Sequence, residues 1–133
     1  MLKKTIKYTD YNGVEREEDF YFNLSRAELT QMQMEVEGGL EAKIQKIINS
    51  KDTQALMDMF KDLLLRSYGV KSEDGKLFRK SKELKADFEC SAAFEELYME
   101  LATNDKAAAD FVNGIIPASL QEAVKKEIET KTN

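Results

Sequence analysis

The stretch FEELYMELATNDKAAADFVNGIIP, residues 94–117, decides the fold, because its apolar residues recur three and four positions apart. That spacing gives a helix one apolar face, and it predicts a helix over residues 92–102. Asn104 can accept a hydrogen bond from the first turn of a second helix, predicted over residues 105–113. The helical pattern then stops at Pro117, the chain's only proline. The last third of the chain is therefore expected to be helical.

The N-terminus has the pattern of a β-hairpin, with strands of about residues 2–9 and 14–22 around the turn DYNG at residues 10–13. An Asn-Gly pair often marks a two-residue loop, but that register mixes apolar and charged side chains on both faces. A three-residue loop instead places Leu2 opposite Phe22, and side chains alternate between the two faces of a strand. We predict the three-residue loop, because one face then carries the apolar set Leu2, Ile6, Phe20 and Phe22.

Four further helices are predicted between the hairpin and residue 92. The first begins with a capping-box pattern, in which the side chains of Ser25 and Glu28 each accept a hydrogen bond from the other's backbone N–H. Glycine ends a helix readily because it can adopt the left-handed conformation. The predicted helices run from Ser25 to about Gly38, from Leu40 to Asn49, from Thr53 to Tyr68 and from Ser81 to about Cys90.

Residues 70–80 interrupt the helical pattern with a polar segment, predicted to turn at SEDG, residues 72–75. A calcium loop would need oxygen ligands at alternate positions over about 12 residues. Basic side chains fill the second half of this segment instead. We therefore predict an ordinary turn, held to the core by Leu77 and Phe78.

These elements predict a mainly α protein of the α+β class, with an N-terminal β-hairpin followed by about five to seven short helices in one compact domain. The domain is expected to span residues 1–117, with the hairpin at 2–22 and the helical part at 24–117. Residues 118–133 are predicted to be a C-terminal helix or a flexible tail. Their apolar stripe is thin and buries little surface.

The composition excludes several classes of function. The chain has 133 residues with 20 basic and 25 acidic side chains, a net charge of −5, which argues against a general nucleic-acid binder. No apolar run approaches the roughly 20 residues that a membrane span needs, so no membrane contact is expected. Histidine is absent and there is one cysteine, so the commonest general base and the usual zinc clusters are missing.

No group of residues indicates catalysis. Four carboxylates crowd the second strand, and paired carboxylates can perform acid–base chemistry in a cleft. On a hairpin that also carries Lys3, Lys4 and Lys7, they are better explained as a cross-strand charge ladder. We predict no catalytic residues, no metal site and no cofactor, and therefore no enzyme.

Met32 and Met34 lie two positions apart in the first predicted helix, about 200° around its axis. Both cannot face one core, so at least one is expected to be exposed. Methionine is common at surfaces that accept several partners, because its side chain is flexible and polarizable. The pair is open to two interpretations, core packing or a binding surface.

Stretches over nearly the whole chain are similar to those of a known family. They are TIKYTDYNG (residues 5–13), FYFNLSRAEL (20–29), FKDLLLRSYGVKSEDG (60–75) and above all FVNGIIP (111–117). These stretches resemble the tail assembly chaperones of long-tailed phages and prophages of Gram-positive bacteria. None of them is a catalytic signature.

The resemblance implies a non-catalytic tail assembly chaperone that binds the tape-measure protein and helps to recruit tail-tube subunits. It also implies self-association into spirals, a place in the cytoplasm of the bacterial host, and absence from the mature virion. The exposed edges of the hairpin could pair with another copy, and that contact would be head-to-tail. The alternative is a virion structural component such as a head–tail connector protein. The residues expected to contact a partner or a second copy are Met32, Met34, Phe111, Ile115 and Ile116.

Overall fold

The computed structural model describes residues 1–35 and 37–115, and it begins with the predicted hairpin. Strand β1, Leu2–Thr9, pairs antiparallel with β2, Glu15–Phe22. Leu2 lies opposite Phe22, and Lys7 lies opposite Glu17. The Asp10 N–H donates to the Val14 carbonyl over 2.9 Å, and Gly13 has a left-handed φ of 79°. The three-residue loop and its register are confirmed.

Six helices follow in the described residues, within the predicted number. Ser25 and Glu28 form the predicted capping box, with N–H to side-chain distances of 3.0 and 3.1 Å. Asn104 caps the last described helix by accepting from the Ala107 N–H. The helices are α1 Arg26–Glu35, α2 Gly39–Ser50, α3 Thr53–Ser67, α4 Lys82–Glu89, α5 Ala92–Thr103 and α6 Asp105–Ile115.

The segment predicted as a polar excursion is a second hairpin, which corrects that prediction. Strand β3, Tyr68–Lys71, pairs with β4, Phe78–Arg79, and β3 also joins β2, so the sheet order is β1-β2-β3-β4. The strand begins at Tyr68 because the chain leaves α3 directly opposite the end of β2. Leu77 is 53% exposed and does not anchor the segment.

Helix α6 continues to Ile115, two residues beyond the predicted end at residue 113. The predicted end lies just before Gly114, but Gly114 does not have the left-handed conformation in which glycine ends a helix. A Cβ at this position would lie 2.9 Å from Leu2 Cδ1. Gly114 therefore serves the close approach of α6 to β1, and the helix passes through it.

The core lies between the inner face of the sheet and the helices. Phe22, at the end of β2, is fully buried and contacts three aromatic rings, with ring centroids 5.3 Å away for Phe111, 5.7 Å for Phe88 and 5.9 Å for Tyr68. The rings of Tyr68 and Phe88 stack at 4.2 Å. Large apolar surfaces thus join the hairpin, β3, α4 and α6 in one core.

Candidate protein-interaction surface

The two methionines of α1 lie on opposite sides of the helix. Met32 is 5% exposed and belongs to the same buried cluster as Leu29, whereas Met34 is 80% exposed. A separation of two residues rotates a side chain by about 200° around a helix. The expectation that at least one methionine is exposed is confirmed, and it is Met34 that is available to a partner.

The described part of the FVNGIIP stretch, residues 111–115, packs into the core at the end of α6. Phe111 is 3% exposed and meets the Phe22 ring edge-on, and Ile115 is 1% exposed. The Ile115 carbonyl accepts a hydrogen bond from the Leu24 N–H over 3.0 Å, which ties the end of α6 to the chain between β2 and α1. In this conformation Met32, Phe111 and Ile115 are core residues. Their predicted partner contacts would require the domain to open, and Ile116 lies outside the described residues.

Met34 is therefore the one predicted contact residue that the described part of the chain exposes. Sequence reasoning did not select the other exposed apolar side chains, because those in or beside the two turns carry no periodic signal and the spacing of Met99 on α5 wrongly indicated a core position. The large ones include Tyr11, Val14, Val70, Leu77 and Met99.

Helix α1 is fixed at its N-terminal end by a polar cluster. The Lys80 ammonium donates to the Glu28 carboxylate over 2.6 Å and to the Asn23 carbonyl over 2.7 Å. Burial alone would raise the pKa of Glu28, but hydrogen bonds from Lys80 and the Ser25 N–H bring it below its ordinary value. Burial lowers the pKa of Lys80, and the charge of Glu28 offsets this in part. The cluster joins α1 to the end of β4.

The C-terminal end of α1, next to Met34, is also tied to the fold. Arg66 on α3 donates to Glu35 over 3.2 Å and to Asp62 over 3.1 Å. The hydrogen bond to Glu35 raises the pKa of the Arg66 guanidinium, although burial opposes this shift. Because both ends of α1 are held, the exposed methionine lies on a helix with a fixed orientation.

The outer face of the hairpin carries the expected charges except those of Lys4 and Glu18, which lie on the inner face, where the Tyr8 hydroxyl donates to the Glu18 carboxylate. Lys3 and Asp19 form a loose pair at 3.9 Å, and Lys7 lies opposite Glu17 in the register. Lys4 does not join this ladder, because its side chain is on the inner face and pairs with Glu100 of α5 at 3.2 Å.

The described residues show no candidate metal site. Residues 1–35 and 37–115 hold no group of three or more His, Cys, Asp or Glu side chains that could bind a metal ion. The SEDG turn is ordinary, since Asp74 accepts from the Ser72 hydroxyl and from the Lys76 N–H. Among the helices in the described ranges, none has the length and apolar character needed to cross a membrane.

Comparison with known proteins gives one finding. A family model described as phage tail assembly chaperone matches residues 1–133. No significant match was found among curated proteins or among solved structures. Since the family match covers the full chain given, this chain belongs to the phage tail assembly chaperone family.

Proposed function

We propose that this chain binds the tape-measure protein of a long-tailed phage or prophage, self-associates along it, and helps to recruit tail-tube subunits. The host would be a Gram-positive bacterium, and the work would take place in its cytoplasm. Family membership gives the role in tail assembly. The observation that supports a contact site is Met34, an 80% exposed apolar side chain on a helix with both ends tied to the fold.

Such a site suits a helical client. An exposed methionine can pack against many different apolar surfaces, because its thioether chain adapts to them at little cost. A fixed helix loses little conformational freedom on binding, and this reduces the entropic cost of association. A chaperone that must hold a long client at many places and then leave needs contacts of this adaptable, reversible kind.

The first experiment is co-expression with the tape-measure protein encoded by the same phage. We expect the tape-measure protein to remain soluble and to co-purify with this chain. Met34→Gln should weaken that binding by about tenfold, the effect of roughly 1.4 kcal/mol at a contact. Met99→Gln is the matched control, since Met99 is 50% exposed on a different helix, α5. Equal binding by the wild type and by both variants would refute the role of Met34.

Purified particles distinguish this proposal from the alternative of a virion structural component. A non-catalytic chaperone that leaves before maturation is absent from mature virions, whereas a head–tail connector protein is present in fixed copy number. The division of the chain into a domain of residues 1–117 and a C-terminal segment of residues 118–133 stays a prediction. If this division is correct, a truncated chain that ends at Pro117 should have the same thermal stability as the full chain.

A further inference from the structure

The sheet has two open edges in the part of the chain that the structure describes. Strand β1 is the first strand of the order β1-β2-β3-β4, so no other strand among the described residues pairs with its outer edge. Strand β3 pairs with β2 only at Tyr21 and Phe22. It then diverges and leaves a groove of about 330 Å³ beside β2. The edge of β2 over residues 15–20 therefore has no paired strand among the described residues, although Val70 and Lys71 of β3 line the groove beside residues 18–20.

Two backbone hydrogen bonds show which residues of the hairpin direct their N–H and C=O groups toward the open edges. The Asp10 N–H bonds to the Val14 carbonyl, and the Asn23 N–H bonds away from β1, to the Ser67 carbonyl. Bonded and non-bonded pairs alternate along an antiparallel ladder. The odd-numbered residues of both strands thus direct their N–H and C=O groups to the open edges. Unpaired groups of this kind are a template for another strand.

The two open edges carry opposite charge. Strand β1 has three lysines and no acidic residue, whereas β2 has four acidic residues and one arginine. Lys7, Glu15 and Glu17 form no ion pair in the described part of the chain, and their side chains lie on the exposed face. One copy of this protein therefore presents a basic edge and an acidic edge that complement each other.

The same charges oppose a symmetric contact between two β1 edges. Antiparallel pairing of two copies about Thr5 would set Lys3 of each copy opposite Lys7 of the other, and like charges directly opposite are destabilising. Pairing of β1 with β2 of a second copy can instead set Lys3 opposite Asp19 and Lys7 opposite Glu15. This register joins odd-numbered residues on both strands, so the outward backbone groups meet and the exposed faces align.

We propose that the open edge of β1 pairs antiparallel with the open acidic edge of β2 in a second copy. The proposal deepens the self-association in the proposed function by naming its surface. Each bound pair still has one free β1 edge and one free β2 edge, so the contact is head-to-tail and does not close at two copies. Because the charged side chains stay at the surface, the contact weakens as salt shortens the screening length from about 10 Å at 0.1 M to about 3 Å at 1 M.

Two edge-blocking variants test the contact. Proline removes one backbone N–H and is tolerated in a strand where that N–H faces solvent. Lys7→Pro blocks β1 alone, and Glu17→Pro blocks β2 alone. Sedimentation should show concentration-dependent assembly of the wild type and monomers of each variant. An equimolar mixture of the variants should form a dimer and nothing larger, because only one pair of open edges remains.

Charge variants repeat the test without a change to the backbone. Lys7→Glu alone and Glu15→Lys alone should each weaken assembly at least tenfold, and their mixture should assemble again, because residues 7 and 15 lie opposite each other in the proposed register. The matched controls are Lys76→Glu and Glu73→Lys, which make the same charge changes at exposed positions in the β3–β4 turn. Thermal unfolding of every variant shows whether the fold is kept, and if a proline variant unfolds, the charge pair decides.

Several outcomes would overturn the proposal. One is a wild type that stays monomeric up to about 1 mM, where even a millimolar dissociation constant gives visible assembly. Assembly by Glu17→Pro but not by Lys7→Pro would indicate a symmetric β1 contact, and assembly by both would place the contact elsewhere. Tape-measure binding is measured separately. Failure of the wild type to bind the tape-measure protein would refute the proposed client but would not affect the proposed edge contact.

Discussion

The same substitution at the two methionines of α1 should have opposite consequences. Met32→Gln places an amide where a buried thioether packs on the core. Losing the apolar burial costs about 2 kcal/mol, and an amide without hydrogen-bond partners adds about 1 kcal/mol. The expected loss of about 3 kcal/mol lowers Tm by roughly 10 °C in a domain of this size. Met34→Gln changes a side chain that is 80% exposed, so its effect should stay within about 0.5 kcal/mol.

Thermal unfolding by circular dichroism measures both variants, and binding to the tape-measure protein is measured at a temperature where both remain folded. The expected pattern is a low Tm with near-normal binding for Met32→Gln, and a normal Tm with weakened binding for Met34→Gln. Equal losses of Tm would refute the assignment of the two residues to opposite sides of α1. Normal Tm with normal binding for Met34→Gln would refute its role as a contact.

Further predictions concern packing and pH. Gly69→Ala should cost about 3 kcal/mol, the upper range for overpacking, because its Cβ would lie 2.6 Å from the Phe78 ring. Gly114→Ala should change stability by less than about 1 kcal/mol, since the end of a flexible leucine can move and alanine favours the helix. The folded-state pKa of Glu28 is lowered, so its stabilising effect is full above the unfolded pKa and is lost as pH falls through the folded one. Tm should therefore fall more steeply between about pH 5 and pH 3 in the wild type than in Glu28→Gln.

The features that could be predicted from the sequence are those that local chemistry determines. The hairpin register follows from the alternation of Leu2, Ile6 and their partners, and the capping box follows from Ser25 and Glu28 alone. The β3–β4 hairpin could not be predicted in this way. It is short and polar, and its first strand exists because it meets the end of β2, a contact between residues more than 40 positions apart. Such pairing leaves no period in the local sequence.

The candidate site was predictable only in part, for a related reason. Apolar spacing shows that a side chain is buried, but it does not show whether the burying surface belongs to the same chain or to a partner. Phe111 and Ile115 were expected at a partner surface, and the structure buries them against Phe22 and beside Leu24. The methionine pair was more informative, because its 200° separation required one member to be outside.

The stretches that carry the family resemblance are those that build the fold. In FVNGIIP, Phe111 fills the core, Gly114 lets α6 approach β1, and Ile115 both fills the core and ties α6 to Leu24. Phe111 and Ile115 tolerate little change, because a lost core contact costs several kcal/mol of a total stability of about 5–15 kcal/mol. The resemblance therefore identifies the scaffold. The client contact proposed above uses a side chain that the scaffold leaves exposed, Met34, and the proposed contact between copies uses the backbone edges that the sheet leaves open.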